Sequence, residues 1–115
     1  MTRLFIYGTL LHGEHNHHLM GGRMPLSTAV TEPVYRMVDM GGYPALVEGG
    51  ATAIVGELYE VDTPTLARLD ILEEAPEFYR RVAASVAGHA VELYVLPEVH
   101  AVGAAVIASG DWRRR

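Results

Sequence analysis

The chain contains no cysteine. That excludes disulfide staples, thiolate catalysis and cysteine-based zinc sites, and it fits a reducing compartment. Positive charge is also scarce: 9 basic residues stand against 14 acidic ones, for a net charge of −5. Nucleic acid and anionic membranes attract the opposite balance, so neither is expected as the main partner. The basic run Arg113-Arg114-Arg115 reads as a solvated end segment. No stretch approaches the roughly 20 apolar residues needed to span a bilayer. The apolar run Leu4–Tyr7 is too short for a secretory signal, and a soluble cytoplasmic protein is the expectation.

What is present is apolar mass. Half of the 115 residues are hydrophobic, enough for a core without covalent help. The length suits one domain over 1–115, and there is no repeat, linker or low-complexity tract. Leu4–Tyr7 reads as a buried strand that stops at Gly8-Thr9-Leu10. Val34–Met40 and Thr52–Val61 alternate as strands do, and Gly56 inside the second marks a bulge or a close backbone approach. Val82–Val86 and Ala90–Leu96 flank Ala87-Gly88-His89 as a hairpin. Weaker extended segments are Ala29–Glu32, Ala45–Val47 and Val102–Ile107. Asp62-Thr63-Pro64 opens a helix with a capping residue and an early proline, and that helix runs to about Glu74, before Pro76. About six short strands and one firm helix predict an α+β fold with a curled or closed sheet. Periodicity alone does not choose between an open sheet and a barrel.

One residue on that helix is out of place. At about 100° per residue, positions 66, 69 and 73 share a face. They are Leu66, Leu69 and Glu73. A carboxylate in line with two core leucines loses water, and desolvation raises its pKa toward neutrality. The plainer alternative is that Glu73 frays outward at the helix end. Glu74 and Glu77 fall on the exposed side, and Arg80 and Arg81 are expected to pair with some of these carboxylates.

Tyr7-Gly8-Thr9-Leu10 ends a strand with a glycine. Such a turn can offer consecutive backbone N–H groups to a carboxylate or an oxyanion. It is not a phosphate loop, since the glycine spacing and the lysine are missing. His12, His15, His17 and His18 could hold zinc or nickel, but their spacing is not that of a helical metal site, and a solvated polar loop is the simpler reading. No serine has a Gly-x-Ser-x-Gly context. Trp112, the only tryptophan, reads as a packing lid.

Four blocks then occur in order: Phe5-Ile6-Tyr7-Gly8-Thr9-Leu10 with Gly13 and Asn16-His17-His18-Leu19; Gly42-Tyr43-Pro44-Ala45-Leu46-Val47; Val55-Gly56-Glu57-Leu58-Tyr59-Glu60-Val61-Asp62 running on through Leu66, Leu69-Asp70-Ile71-Leu72-Glu73 and Tyr79-Arg80-Arg81; and Ser109-Gly110-Asp111-Trp112. Together they resemble the gamma-glutamylcyclotransferase-like family, which includes gamma-glutamylamine cyclotransferases. The resemblance implies a small mixed β-barrel with flanking short helices. It implies a cavity in which Tyr7, Gly8, Thr9 and Leu10 hold a small-molecule gamma-glutamyl substrate. It also implies a catalytic role for Glu73 in forming 5-oxoproline and a free amine. Tyr43 and Tyr79 are candidates for the cavity wall, with core packing as the plainer role of each. The chemistry requires no metal and no organic cofactor. Family members often carry a basic residue just after the turn, where this chain has Leu11-His12. The leaving amine (an amino acid, a lysine side chain or a biosynthetic intermediate) therefore stays open. A non-catalytic ligand-binding module on the same fold is the alternative, and the retained Glu73 counts against it. Oligomeric state and any lid role of the 12–23 loop have no signal in the sequence.

Overall fold

Strand β1 (Thr2–Ile6) owes its unbroken apolar run to burial on both sides. In the computed structural model, which describes residues 1–115, Leu4 and Ile6 join one core cluster of 16 buried residues. Phe5 joins a second cluster of 14, as does Tyr7 just beyond the strand. A strand covered on both faces shows no alternation, because neither face meets water.

Seven further strands follow: β2 (Ser27–Val30), β3 (Tyr35–Asp39), β4 (Pro44–Glu48), β5 (Val55–Val61), β6 (Arg80–Val86), β7 (His89–Val95) and β8 (Ala105–Val106). One helix, α1 (Thr63–Leu72), lies between β5 and β6, and short 3-10 turns cover His17–Met20, Glu98–His100 and Trp112–Arg114. The strands form a five-stranded sheet of order β2-β5-β1-β7-β6 and a three-stranded sheet of order β4-β3-β8. Pairing is antiparallel except for β1 with β7, where Leu4 faces Glu92 in parallel. The sheets are tied by the Tyr35–Thr52 bridge and by the Leu96 N–H, which donates to the Leu46 carbonyl at 2.7 Å.

This corrects the expected barrel of about six strands. There are eight strands, and the sheet does not close: β2 and β6 are its two edges. The surplus over six lies in the weaker extended segments: Ala29–Glu32 overlaps β2, which has four residues, and Val102–Ile107 contains β8, which has two. Closure fails because β3 takes β4 and β8 as its partners. Pairing choices of this kind depend on residues distant in sequence, which a local pattern does not report.

Helix α1 begins as expected: the Asp62 carboxylate accepts the Thr65 N–H at 2.9 Å, and Pro64 occupies the first turn. Leu66 and Leu69 enter the 16-residue cluster. No helix is long and apolar enough to cross a membrane. In the β6–β7 hairpin, Ala87 and Gly88 both have positive φ, of 51° and 81°. That is the backbone a two-residue turn needs to match strand twist.

Gly56 marks the close approach its place in a strand suggested. A Cβ there would overlap the Ile6 carbonyl oxygen and sit 2.6 Å from Phe5 Cζ. Neither neighbour can yield cheaply, because Ile6 is strand backbone and Phe5 is fully buried. Gly56→Ala should therefore destabilise the protein by about 2–3 kcal/mol, read as a lowered urea midpoint at unchanged slope.

Candidate active site

The end of β1, the end of α1 and the turn leading into β4 converge on a cleft of about 330 Å³. Tyr7, Gly8, Thr9, Leu10, Tyr43, Glu73 and Tyr79, all expected from sequence, line it. Residues up to 72 positions apart thus meet in one cavity.

The turn after β1 is held from several directions. The Leu11 N–H donates to the Gly8 carbonyl at 3.0 Å, which closes the turn. Asn16 secures Thr9 twice: its backbone N–H donates to the Thr9 carbonyl at 3.0 Å and its side-chain amide to Thr9 Oγ1 at 3.1 Å. Gly8 lies against Pro44, where a Cβ would come within 2.6 Å of the ring Cγ. The N–H groups of Gly8, Thr9 and Leu10 donate to no acceptor in the molecule. Three consecutive amides at the cleft wall are thus left without an acceptor inside the protein.

Glu73 caps the C-terminus of α1 with its backbone fixed on both sides. Its N–H donates to the Leu69 carbonyl at 2.9 Å, and its own carbonyl accepts the Tyr79 N–H at 3.4 Å. The chain turns away at Glu74, which has a φ of 52°. Glu73 therefore keeps the buried face rather than fraying. Its side chain is half-buried, and burial pushes the carboxyl up to about 7 from an ordinary 4.5. No charged partner offsets that desolvation. Arg81, expected to pair with this acidic group, instead reaches Asp70 at 3.3 Å and Glu92 at 3.4 Å. The register that sets Arg81 opposite Tyr94 explains the choice, since Tyr94 itself donates to Asp70. Glu74 and Glu77 are exposed, as their helix positions implied, although Glu74 also borders the cleft.

Three phenols surround Glu73, and each spends its proton elsewhere. Tyr7 donates to the Tyr94 carbonyl at 2.7 Å, Tyr79 to the Pro44 carbonyl at 2.8 Å, and Tyr94 to Asp70 Oδ1 at 2.7 Å. Burial, with Glu73 nearby as a smaller contribution, raises all three hydroxyl pKa values. The tyrosines stay neutral, and their hydrogens do not solvate the carboxylate. Tyr7 and Tyr79 are buried, so wall and core are one role for them, whereas Tyr43 is 40% exposed and stands at the mouth.

Tyr94, Phe78 and Asn16 also line the cleft without being candidates on sequence, as does His15, which the sequence suggests only as a metal ligand. Only the Asn16-His17-His18-Leu19 block pointed toward any of them. Tyr94 sits in an apolar strand, where nothing local separates a wall residue from a core one. Of the four histidines, His12 and His17 meet edge-on at 5.0 Å, and no three group together. His15 borders the cleft, His17 Nδ1 lies 3.0 Å from the Leu10 carbonyl, and His18 Nδ1 lies 3.1 Å from the His15 carbonyl.

A model of a known family, described as gamma-glutamyl cyclotransferase, AIG2-like, matches residues 4–114. A Vibrio cholerae protein, provisionally named a gamma-glutamylcyclotransferase, is 43% identical over 97% of this chain and 96% of its own. The gamma-glutamylcyclotransferase family protein YtfP of Escherichia coli K12 is 34% identical over 98% and 97%. The solution structure of the E. coli protein superposes with a TM-score of 0.75 over 96% of each chain at 33% identity. The crystal structure of an uncharacterised Pyrococcus horikoshii protein gives 0.80 over 97% and 90% at 27% identity.

Burial of Glu73 sets a sign for stability against pH. The folded protein holds this proton more tightly than the unfolded chain, so stability falls as pH rises from about 4.5 to about 7 and the cost is complete above that. Glu73→Gln removes the cost. The variant should exceed wild type by about 1–3 kcal/mol near pH 8, and the gap should close toward pH 4, in paired denaturant titrations.

Proposed function

The chain belongs to the gamma-glutamyl cyclotransferase, AIG2-like family, and we propose that it cleaves a gamma-glutamyl amide by intramolecular aminolysis, releasing 5-oxoproline and an amine. What carries this reading is the placement of Glu73: an unpaired carboxyl group on the cleft wall, which burial pushes up to about 7. A group with that affinity accepts and returns protons near neutral pH, which an ordinary carboxylate does poorly.

The substrate's α-amine attacks its own γ-carbonyl carbon. The new C–N bond closes a five-membered ring, and the bond to the departing nitrogen breaks. Nucleophile and electrophile share one molecule, so proximity is largely supplied by the substrate. What the protein must supply is proton traffic. The α-ammonium has no lone pair, so Glu73 first removes one proton and hands it to the leaving nitrogen. A second proton follows the same route as the ring nitrogen becomes an amide. Two protons move from the α-nitrogen to the leaving amine, and Glu73 ends ionised, as it began. The free amides of Gly8, Thr9 and Leu10 suit the substrate's carboxylate or the oxyanion that forms during attack. Tyr43 and Tyr79 serve as wall contacts.

The cleft lining contains no lysine or arginine, and its acidic groups are Glu73 and Glu74. A leaving group that carries its own carboxylate, as in glutathione, finds no guanidinium or ammonium partner there, only the His15 imidazole. A neutral or cationic amine meets Glu74 favourably, which supports amines over amino acids as the leaving group.

The test is 5-oxoproline release, followed by mass spectrometry, over gamma-glutamyl amines, gamma-glutamyl amino acids and glutathione. Release should favour the amines. Glu73→Gln should lower kcat by roughly 10²-fold or more with little change in substrate affinity, because shape is kept and only the base is lost. Glu74→Gln should leave kcat nearly unchanged. Near-wild-type turnover in Glu73→Gln contradicts the role given to Glu73, and ligand binding without product points to a binding module.

A further inference from the structure

Glu57 is the only charged residue buried in the core. It lies in mid-β5, between Ile6 of β1 and Thr28 of β2. A buried carboxylate is costly, and packing alone would favour an apolar side chain there. Its contacts show what it does instead. Oε1 accepts the His12 N–H at 2.8 Å and the Tyr59 hydroxyl at 2.9 Å. Oε2 faces Arg113 Nη2 at 3.6 Å, and that same nitrogen donates to the His12 carbonyl. One member of the ion pair holds the N–H of His12 and the other holds its C=O. His12 follows directly on the residue that closes the Gly8–Leu11 turn.

We propose that Glu57 and Arg113 form a latch behind the cleft that sets the direction of the Gly8, Thr9 and Leu10 amides. They are positioning residues: neither lines the cleft, and they act through the backbone of His12. His17, whose ring meets that of His12 edge-on at 5.0 Å and whose Nδ1 lies beside the Leu10 carbonyl, braces the same turn. Amides that grip an anion work only when their N–H groups converge, so small rotations of the turn weaken the grip without moving Glu73. The latch's effect on substrate rests on the cyclotransferase reading. Its effect on the turn does not.

Arg113 is 40% exposed and belongs to neither core cluster, so truncating it removes little packing, while Glu57 keeps its two hydrogen bonds and loses its cation. Arg114, whose side chain is 83% exposed and pairs with Asp111, is the control. Kinetics and amide hydrogen exchange are measured on wild type, Arg113→Ala, Arg113→Lys and Arg114→Ala, with the best gamma-glutamyl amide of the panel as substrate. Arg113→Ala should raise KM about tenfold with kcat within about threefold, the signature of lost ground-state positioning. Arg113→Lys should recover part of the KM, and Arg114→Ala should change neither. Exchange should quicken at the hydrogen-bonded amides of the turn, Leu11, His12, Glu14 and Asn16, and not across the sheet. Glu57→Gln should raise KM as well, and adding Arg113→Ala should then do little more. An unchanged KM with unchanged exchange at His12 overturns the latch, as does a loss of protection spread over the whole chain. If wild type releases no 5-oxoproline, the functional reading fails and exchange alone decides: quickening confined to 8–16 supports the latch, and none refutes it.

Discussion

The site depends on a carboxyl group drawn partly out of water and given no charged or hydrogen-bonding partner in return. Two interactions could have stabilised the charge on Glu73. An adjacent arginine would lower the pKa by about 1–3 units, and donated hydrogen bonds would act in the same direction. Arg81 is turned to Asp70 and Glu92, and Tyr7, Tyr79 and Tyr94 donate their protons to other oxygens. Desolvation is therefore unopposed, and it raises the group to about 7. The polar groups around the cleft matter as much for where they point as for what they are.

The rest of the fold holds that environment in place. β1 lies in the middle of its sheet and is buried on both faces, so the turn at its end starts from a fixed point. Pro44 wedges against Gly8 and also receives the Tyr79 hydroxyl, linking the turn to the aromatic wall. On the other side, α1 presents Glu73 at its last turn, where Leu66 and Leu69 anchor the helix to the core. A strand end and a helix end are stiffer supports than free loops, and proton transfer over hydrogen-bond distances needs that stiffness.

Much of this was legible in the sequence, for reasons that can be traced to residues. Glu73 was readable because helical phase is local: Leu66 and Leu69 define a face and Glu73 falls on it. The Tyr7–Leu10 turn was readable because an apolar strand breaking at glycine is also local. Sheet closure was not readable, since the partners of β3 are chosen by segments far apart in sequence. Nor was the destination of Arg81, which is set by register with β7. Tyr94 was missed for a related reason: its role as wall depends on which helix packs against it, and Leu93-Tyr94-Val95 reads the same in any buried strand.

The most direct test is to titrate the Glu73 carboxyl itself. Protein labelled with 13C at glutamate side chains, compared with unlabelled-site Glu73→Gln, assigns its resonance, and the shift is followed from acid to mildly alkaline pH. The account predicts a midpoint of about 7. A midpoint near the ordinary 4.5 would mean that the carboxylate is solvated or paired, and the account of the site would be wrong.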